Sequence, residues 1–201
     1  QEGIGFGGQG GGGGGINPPI PPSCSDVYPG MPCCGDNSCS DPETIDNCSA
    51  DCEITDISID VQFASGWTLV GLPLSVENSN YQSLFPESME GTLFSFSDGY
   101  VNEQTLVLAD GYWLRFLESG FTIIMGEPIN ELNVALSEGW NLISGIAGVM
   151  SITNIQDPDG IVIPGTIYGF NINGYSNVDD LMPGRGYWIR TNNSGAIVFV
   201  N

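Results

Sequence analysis

The chain has 201 residues, with 24 aspartates and glutamates against three arginines, no lysine and no histidine, and its formal net charge is −21. Clustered lysine and arginine are needed to bind phosphate groups, so this composition excludes nucleic acid and anionic membranes as partners. Hydrophobic residues make up 41% of the sequence, which argues against disorder. No apolar run approaches the ~20 residues that span a bilayer, so we expect no membrane insertion.

Residues 1–22 form a Gly/Pro-rich arm that should be extended. Glycine allows a backbone to lie tightly against another surface, and the Pro18–Pro22 stretch predicts a stiff polyproline II segment. The apolar side chains that this arm offers to a neighbouring subunit are Ile4, Phe6, Ile16 and Ile20.

Residues 23–53 contain every cysteine of the chain: Cys24, Cys33, Cys34, Cys39, Cys48 and Cys52. An even, tightly clustered set favours disulfides and an extracytoplasmic location. A small module of this length also needs such covalent links, because its core is too small to fold alone. The first residue, Gln1, fits a mature secreted protein, although a trimmed sequence would look the same.

The cysteine module also holds oxygen ligands suited to a hard cation. The candidate calcium ligands are Asp36, Asn37, Glu43 and Asp51. The alternative is that they are turn residues and solvated acids of a loop-rich segment. Zinc is disfavoured, since histidine and paired CxxC spacing are both lacking. Calcium is therefore a candidate ligand, and no cofactor is required.

The rest of the chain is a tandem repeat, with units at 54–130 and 131–201. Three blocks recur in order, and the spacing between copies grows by one residue from block to block. The matching blocks are Gly66–Val70 with Gly139–Ile143, Gly91–Phe96 with Gly165–Phe170, and Gly111–Arg115 with Gly186–Arg190.

Each repeat is predicted to be a small antiparallel β-sandwich or barrel. Alternating apolar residues at 57–63 and 132–136 predict half-buried strands, and the residues 64–66 and 137–139 that follow are interpreted as hairpin turns. Further strands are predicted at 92–97, 104–109, 112–117, 121–125, 166–171, 186–191 and 196–200. Asp98-Gly99 and Asn173-Gly174 predict hairpin turns. Short helical turns fit only 80–86 and 151–156.

The four tryptophans are predicted to be core anchors, with Trp67 matching Trp140 and Trp113 matching Trp188. An exposed, sugar-stacking role is the alternative. Arg115 and Arg190 follow the second tryptophan pair, and a structural ion pair with a nearby acid is their expected role. A contact between subunits is the alternative.

Two stretches are similar to known secreted proteins. The pattern Gly-Trp-Asn-Leu-Ile-Ser … Gly-Tyr-Trp-Ile resembles a repeat of secreted and surface proteins of environmental bacteria, which implies an extracellular β module. Residues 34–52 resemble the CGDGxC…E…C…DC segment of secreted microbial proteins, with Asn37 in place of its second glycine. That resemblance implies two disulfides within the segment, and Cys24 with Cys33 would form a third.

Nucleophilic catalysis by a Ser-His-Asp, Cys-His or Ser-Lys set is excluded by the missing histidine and lysine, and no acid pair is marked out for glycoside hydrolysis, so we expect no enzyme. Asn192 and Asn47 are candidate glycosylation sites, of which Asn192 is preferred because Cys48 lies inside the other sequon.

The arm, the tandem β repeats and the lack of catalytic groups together favour a secreted structural protein that self-assembles into an extracellular filament or sheath. Its partner would be its own copies, with the arm packed on a neighbour. The alternative is a surface adhesin or carbohydrate-binding module with a glycan partner.

Overall fold

A computed structural model describes residues 56–200, which belong to one compact unit. The predicted arm at 1–22 and the cysteine module at 23–53 lie outside these residues. The candidate calcium ligands, all six cysteines, the four apolar arm residues and Asn47 therefore lie outside them too.

The described part of the chain is built from short β-strands, as the alternation and turn dipeptides predict. In the first repeat the elements are β1 (Ile57–Phe63), β2 (Gly66–Gly71), β3 (Leu74–Ser75), α1 (Tyr81–Leu84), β4 (Phe94–Phe96), β5 (Tyr100–Asn102), β6 (Gly111–Phe116) and β7 (Gly120–Pro128). In the second they are β8 (Glu131–Leu136), β9 (Gly139–Ser144), β10 (Met150–Ser151), a 3-10 turn (Ile152–Asn154), β11 (Tyr168–Asn171), β12 (Gly174–Asn177), β13 (Asp180–Leu181), β14 (Gly186–Thr191) and β15 (Gly195–Val200).

All named strand pairs are antiparallel, which confirms the all-β fold class. Each repeat contributes one four-stranded sheet, in the order β2-β6-β4-β5 and, in the second repeat, β9-β14-β11-β12. The opening strand of each repeat pairs with its last strand, β1 with β7 and β8 with β15. The two smaller pairings are β3 with β7 and β10 with β13.

Matched hydrogen bonds show that the duplication extends to side chains. The amide of Asn102 donates to the carbonyl oxygens of two residues of its own repeat at 2.9 and 3.1 Å, and Asn177 does the same at 2.8 and 3.3 Å. The hydroxyl of Tyr112 accepts from a backbone N–H at 3.0 Å, and that of Tyr187 does so at 2.7 Å. The two repeats therefore share these side-chain hydrogen bonds at matched positions.

Most local predictions are confirmed, and two are wrong. The hairpins at Asp98-Gly99 and Asn173-Gly174 and both helical turns are present. The turn at 64–66 does not close a hairpin, because β1 pairs with β7 while β2 pairs with β6. The turn at 137–139 does not close one either, because β8 pairs with β15 while β9 pairs with β14. Residues 104–109 form only isolated bridges, and the left-handed φ of 71° at Ala109 ends the extended backbone there.

Each repeat encloses its own apolar core, and a third cluster lies between them. Val61, Leu114 and Phe116 are in the first core, and Val134, Ile189 and Phe199 are in the second. The third cluster joins both sheets through Leu69, Trp113 and Leu142, with partly buried aromatic rings around them.

The backbones of the two repeats contact each other through a pair of hydrogen bonds related by approximate two-fold symmetry. The N–H of Gly71 donates to the carbonyl of Gly184 at 3.0 Å, and the N–H of Ser144 donates to Ala109 at 2.7 Å. The glycine that opens each Gly-Tyr-Trp block also lies at this contact. A Cβ on Gly111 would be 2.5 Å from the carbonyl oxygen of Ile143, so glycine is required by the close packing of the repeats.

Candidate functional site

One face of the molecule carries aromatic side chains from both four-stranded sheets. In β4 the rings of Phe94 and Phe96 are two residues apart, and in β11 those of Tyr168 and Phe170 are too. Because side chains alternate across a strand, each pair lies on one face of its sheet. Hairpin pairing then sets Tyr100 opposite Phe96 and Tyr175 opposite Phe170.

The outer tryptophans lie on this face rather than in a core. Trp67 and Trp140 are each 41% exposed, so the prediction that they are buried is wrong. Arg115 and Arg190 are their in-register neighbours across the strands, with each guanidinium over the ring at 6.0 and 5.7 Å. A cation attracted to the ring face helps to hold the exposed indole flat on the sheet.

Each of the two matched arginines stacks on a tryptophan. Among residues 56–200 no ion pair of Arg115 or Arg190 with a carboxylate is seen, and each guanidinium lies over an indole ring. An ion pair with an acid of residues 1–55 stays a prediction. The duplicated arginines therefore belong to the aromatic face.

The inner tryptophans, Trp113 and Trp188, are more buried, and each ring contacts the other repeat. Trp113 is 8% exposed, as predicted, whereas Trp188 is half-buried. Trp113 meets Phe170 edge-to-face at 4.8 Å, and Trp188 meets Phe96 in the same way at 4.9 Å. Each inner ring thus contacts the hairpin of the other repeat, so neither repeat forms this face alone.

Two grooves open between these rings. The first aromatic groove, of about 450 Å³, is lined by Trp67, Phe94, Tyr100, Trp113, Phe170 and Tyr175. The second aromatic groove, of about 410 Å³, is lined by Phe96, Trp140, Tyr168, Tyr175 and Trp188. Tyr175 lines both and is 55% exposed. The two grooves contain all four tryptophans of the chain.

Neither groove is lined by a charged residue. At Tyr175, which lines both grooves, burial determines the direction of the pKa shift. Partial burial raises the pKa of the Tyr175 phenol, the nearby indole of Trp188 opposes this shift, and the phenol of Tyr100 adds to it. Tyr175 is therefore neutral at physiological pH and available as both donor and acceptor.

A third cavity extends the first groove only. This polar cleft, of about 940 Å³, shares Trp67 and Phe170 with the first groove, and its polar lining residues include Gln62, Ser65, Asn171, Asn173 and Arg185. The first groove with its cleft can accept a longer extended ligand than the second.

Other predicted sites are not brought together on this face. Asn192 is exposed in the turn between β14 and β15, where a glycosylating enzyme could reach it. In the part of the chain that the structure describes, no three metal-ligating acids cluster. No helix of that part is long and apolar enough to cross a membrane.

The groove residues contributed by the hairpins were missed by sequence reasoning. The available signal was an aromatic, a small residue and a second aromatic just before a turn, as in Phe94-Ser95-Phe96 and Tyr168-Gly169-Phe170. The small middle residue indicates that only one face of each strand carries large rings, which would have predicted an aromatic surface.

No protein-family model matches the chain, and the searches of curated proteins and of solved structures found no significant match.

Proposed function

We propose that this chain is a secreted structural protein that self-assembles into an extracellular filament or sheath, in which the N-terminal arm of one subunit packs on its neighbour. The observation that carries the proposal is the pair of exposed aromatic grooves. No catalytic role is assigned, because the sequence lacks histidine and lysine and the groove walls contain no carboxylate.

Exposed apolar surface in contiguous patches marks sites of protein association. The grooves expose tryptophan, tyrosine and phenylalanine, the residue types that dominate the centres of protein interfaces. The rings meet at steep angles, with Trp67 and Trp113 at 87° and Trp140 and Trp188 at 87°. They enclose grooves between ring faces and edges, which suits an inserted chain segment.

Assembly of this kind grows without closing. An arm on one part of a subunit that binds a groove on another part of the next subunit makes a heterologous contact, which propagates into a fibre unless the rotation closes a ring. The charge of −21 must be screened when subunits stack, so salt or divalent cations should promote assembly. The extracellular location is part of the proposal.

Negative-stain microscopy of the purified protein, with and without residues 1–22, tests the proposal. We expect fibres from the full chain and discrete particles from the shortened one, with β content unchanged by circular dichroism. Identical fibres from both would show that the arm is not the assembly contact. Discrete particles from the full chain under every salt and calcium condition would contradict self-assembly.

A surface adhesin or carbohydrate-binding module is the second candidate, favoured by the exposure of Trp67 and Trp140. Sugar rings stack on exposed indoles, and the stacked arginines would hold these indoles in place. The groove walls are otherwise poor in the polar groups that would bind sugar hydroxyls. Isothermal titration of neutral oligosaccharides separates the two functions, because saturable binding by a protein that forms no fibres would favour the glycan.

A further inference from the structure

We infer that the first aromatic groove binds the Pro18–Pro22 segment of a neighbouring copy as a polyproline II helix. This inference rests on the proposed self-assembly and names the contact that would produce it. The segment lies outside the described residues.

The chemistry of the segment matches that of the groove. Pro18-Pro19-Ile20-Pro21-Pro22 contains two overlapping PxxP patterns, Pro18 to Pro21 and Pro19 to Pro22. Such segments bind grooves lined by aromatic side chains, because the ligand is already extended and loses little entropy on binding. The backbone carbonyls of a polyproline II helix need donors, which the indole N–H and phenol O–H groups of the groove supply.

Charge is compatible with the same ligand. The chain carries 24 acids, and only Glu2 falls within residues 1–22, so the arm is nearly uncharged. An acidic subunit repels the acidic surfaces of its own copies, but it repels this arm little. The uncharged walls of the groove then pair with an uncharged proline segment.

The polar cleft distinguishes the first groove from the second. Each chain has one proline segment and two grooves, so one groove must be preferred. Only the first continues into a cleft with amide, hydroxyl and guanidinium groups, including Gln62, Asn171 and Arg185. The chain next to the prolines, Ile16-Asn17 and the glycine run before it, would lie along this cleft with its backbone hydrogen-bonded to these groups.

The test uses the full-length protein with Pro18, Pro19, Pro21 and Pro22 all replaced by alanine, so that its own arm does not compete. The probe is a synthetic peptide of residues 16–23, which contains no aromatic residue. All four tryptophans line the grooves, so a change in tryptophan emission on titration reports binding there. We expect saturable binding, and none by the same peptide with alanine at the four proline positions.

Matched variants assign the groove. Trp67→Ala should weaken peptide binding at least tenfold by calorimetry, whereas Trp140→Ala, an equally exposed tryptophan that lines only the second groove, should change it less than twofold. Phe121→Ala removes an exposed ring outside both grooves and should have no effect.

The outcomes separate this inference from the proposed function. The inference is overturned if the peptide does not bind, or if the alanine peptide binds equally well. It is also overturned if Trp140→Ala weakens peptide binding more than Trp67→Ala does, or if the grooves bind neutral oligosaccharides alone. If the four-proline variant still forms fibres, assembly stands and its contact lies elsewhere. If the peptide binds as expected but the natural chain forms no fibres, the groove contact stands and the structural role fails.

Discussion

The two repeats use one framework with different residues at some of the positions where they meet. Both hold a tryptophan under an arginine, a tyrosine hydroxyl on a backbone N–H, and an asparagine amide on two carbonyls. At the contact between repeats, Gly71 faces Ser144 and Ala109 corresponds to Gly184. The duplication has therefore kept the bonds within each repeat and changed some of the residues between them.

The outer strands differ as well. On β7 of the first repeat, Phe121, Ile123 and Met125 alternate on an exposed face. The corresponding residues of β15 are Ala196, Val198 and Val200, which are smaller. The matched face of aromatic grooves is thus a shared property, whereas the row of large exposed apolar side chains is seen on β7 and not on β15.

The inner and outer tryptophans offer the largest test of the shared framework. Trp113→Ala should lower the free energy of unfolding by about 3–5 kcal/mol, because it leaves a cavity in the cluster between repeats. Trp67→Ala should cost about 1–2 kcal/mol, since 41% of that side chain is already exposed. Chemical denaturation measures both, and Trp140→Ala should match Trp67→Ala. Equal losses at Trp67 and Trp113 would contradict this inner and outer division.

Gly184 and Ala109 test the difference between repeats. Both have a left-handed φ, of 73° and 71°. Gly184→Ala should cost about 2–4 kcal/mol, because it adds backbone strain and its Cβ would be 2.3 Å from a methyl carbon of Val61. Ala109→Gly should be nearly neutral, since relief of strain offsets the loss of a buried methyl group. If both substitutions had the same effect in urea denaturation, the packing against Val61 would not be the cause.

The matched tyrosines test whether the same hydrogen bond contributes equally to the free energy of unfolding in both repeats. Tyr112→Phe and Tyr187→Phe each remove an acceptor from a backbone N–H while keeping the buried ring. Each should lower the free energy of unfolding by about 0.5–1.5 kcal/mol. Values that differ by more than about 1 kcal/mol would show that the surroundings, and not the bond, determine the loss.

Local features of the fold could be predicted from the sequence, and long-range ones could not. The hairpin at Asn173-Gly174 and the alternation in β1 each depend on neighbouring residues, and both are confirmed. The pairing of β1 with β7 depends on residues far apart in the chain, and alternation does not identify a strand's partner. For that reason the turn at 64–66 was predicted as a hairpin.

The grooves could not be predicted from the sequence for the same reason. A tryptophan in a strand is buried in most proteins, and only the register of Trp67 opposite Arg115 reveals that this one lies on the outer face. The groove also needs a phenylalanine from the other repeat, and that contact depends on how the two sheets pack. The function of the arm lies outside the described residues and stays a prediction.

The smallest effect is expected at Asp110, which occupies the position that Arg185 holds in the second repeat. Partial desolvation, with an added contribution from the negative charge of Glu103, raises the pKa of the Asp110 carboxyl. The folded chain therefore binds this proton more tightly than the unfolded chain, so ionisation costs stability as the pH rises from the unfolded pKa through the folded one.

Asp110→Asn removes that cost, and its melting temperature should exceed that of the natural chain slightly at pH 7. The difference should vanish below about pH 3, where the carboxyl is protonated in both states. Glu138→Gln, which removes one charge from an exposed turn, controls for net charge. An advantage of Asp110→Asn that persists unchanged at pH 3 would show that the amide acts through packing or hydrogen bonding and not through the charge.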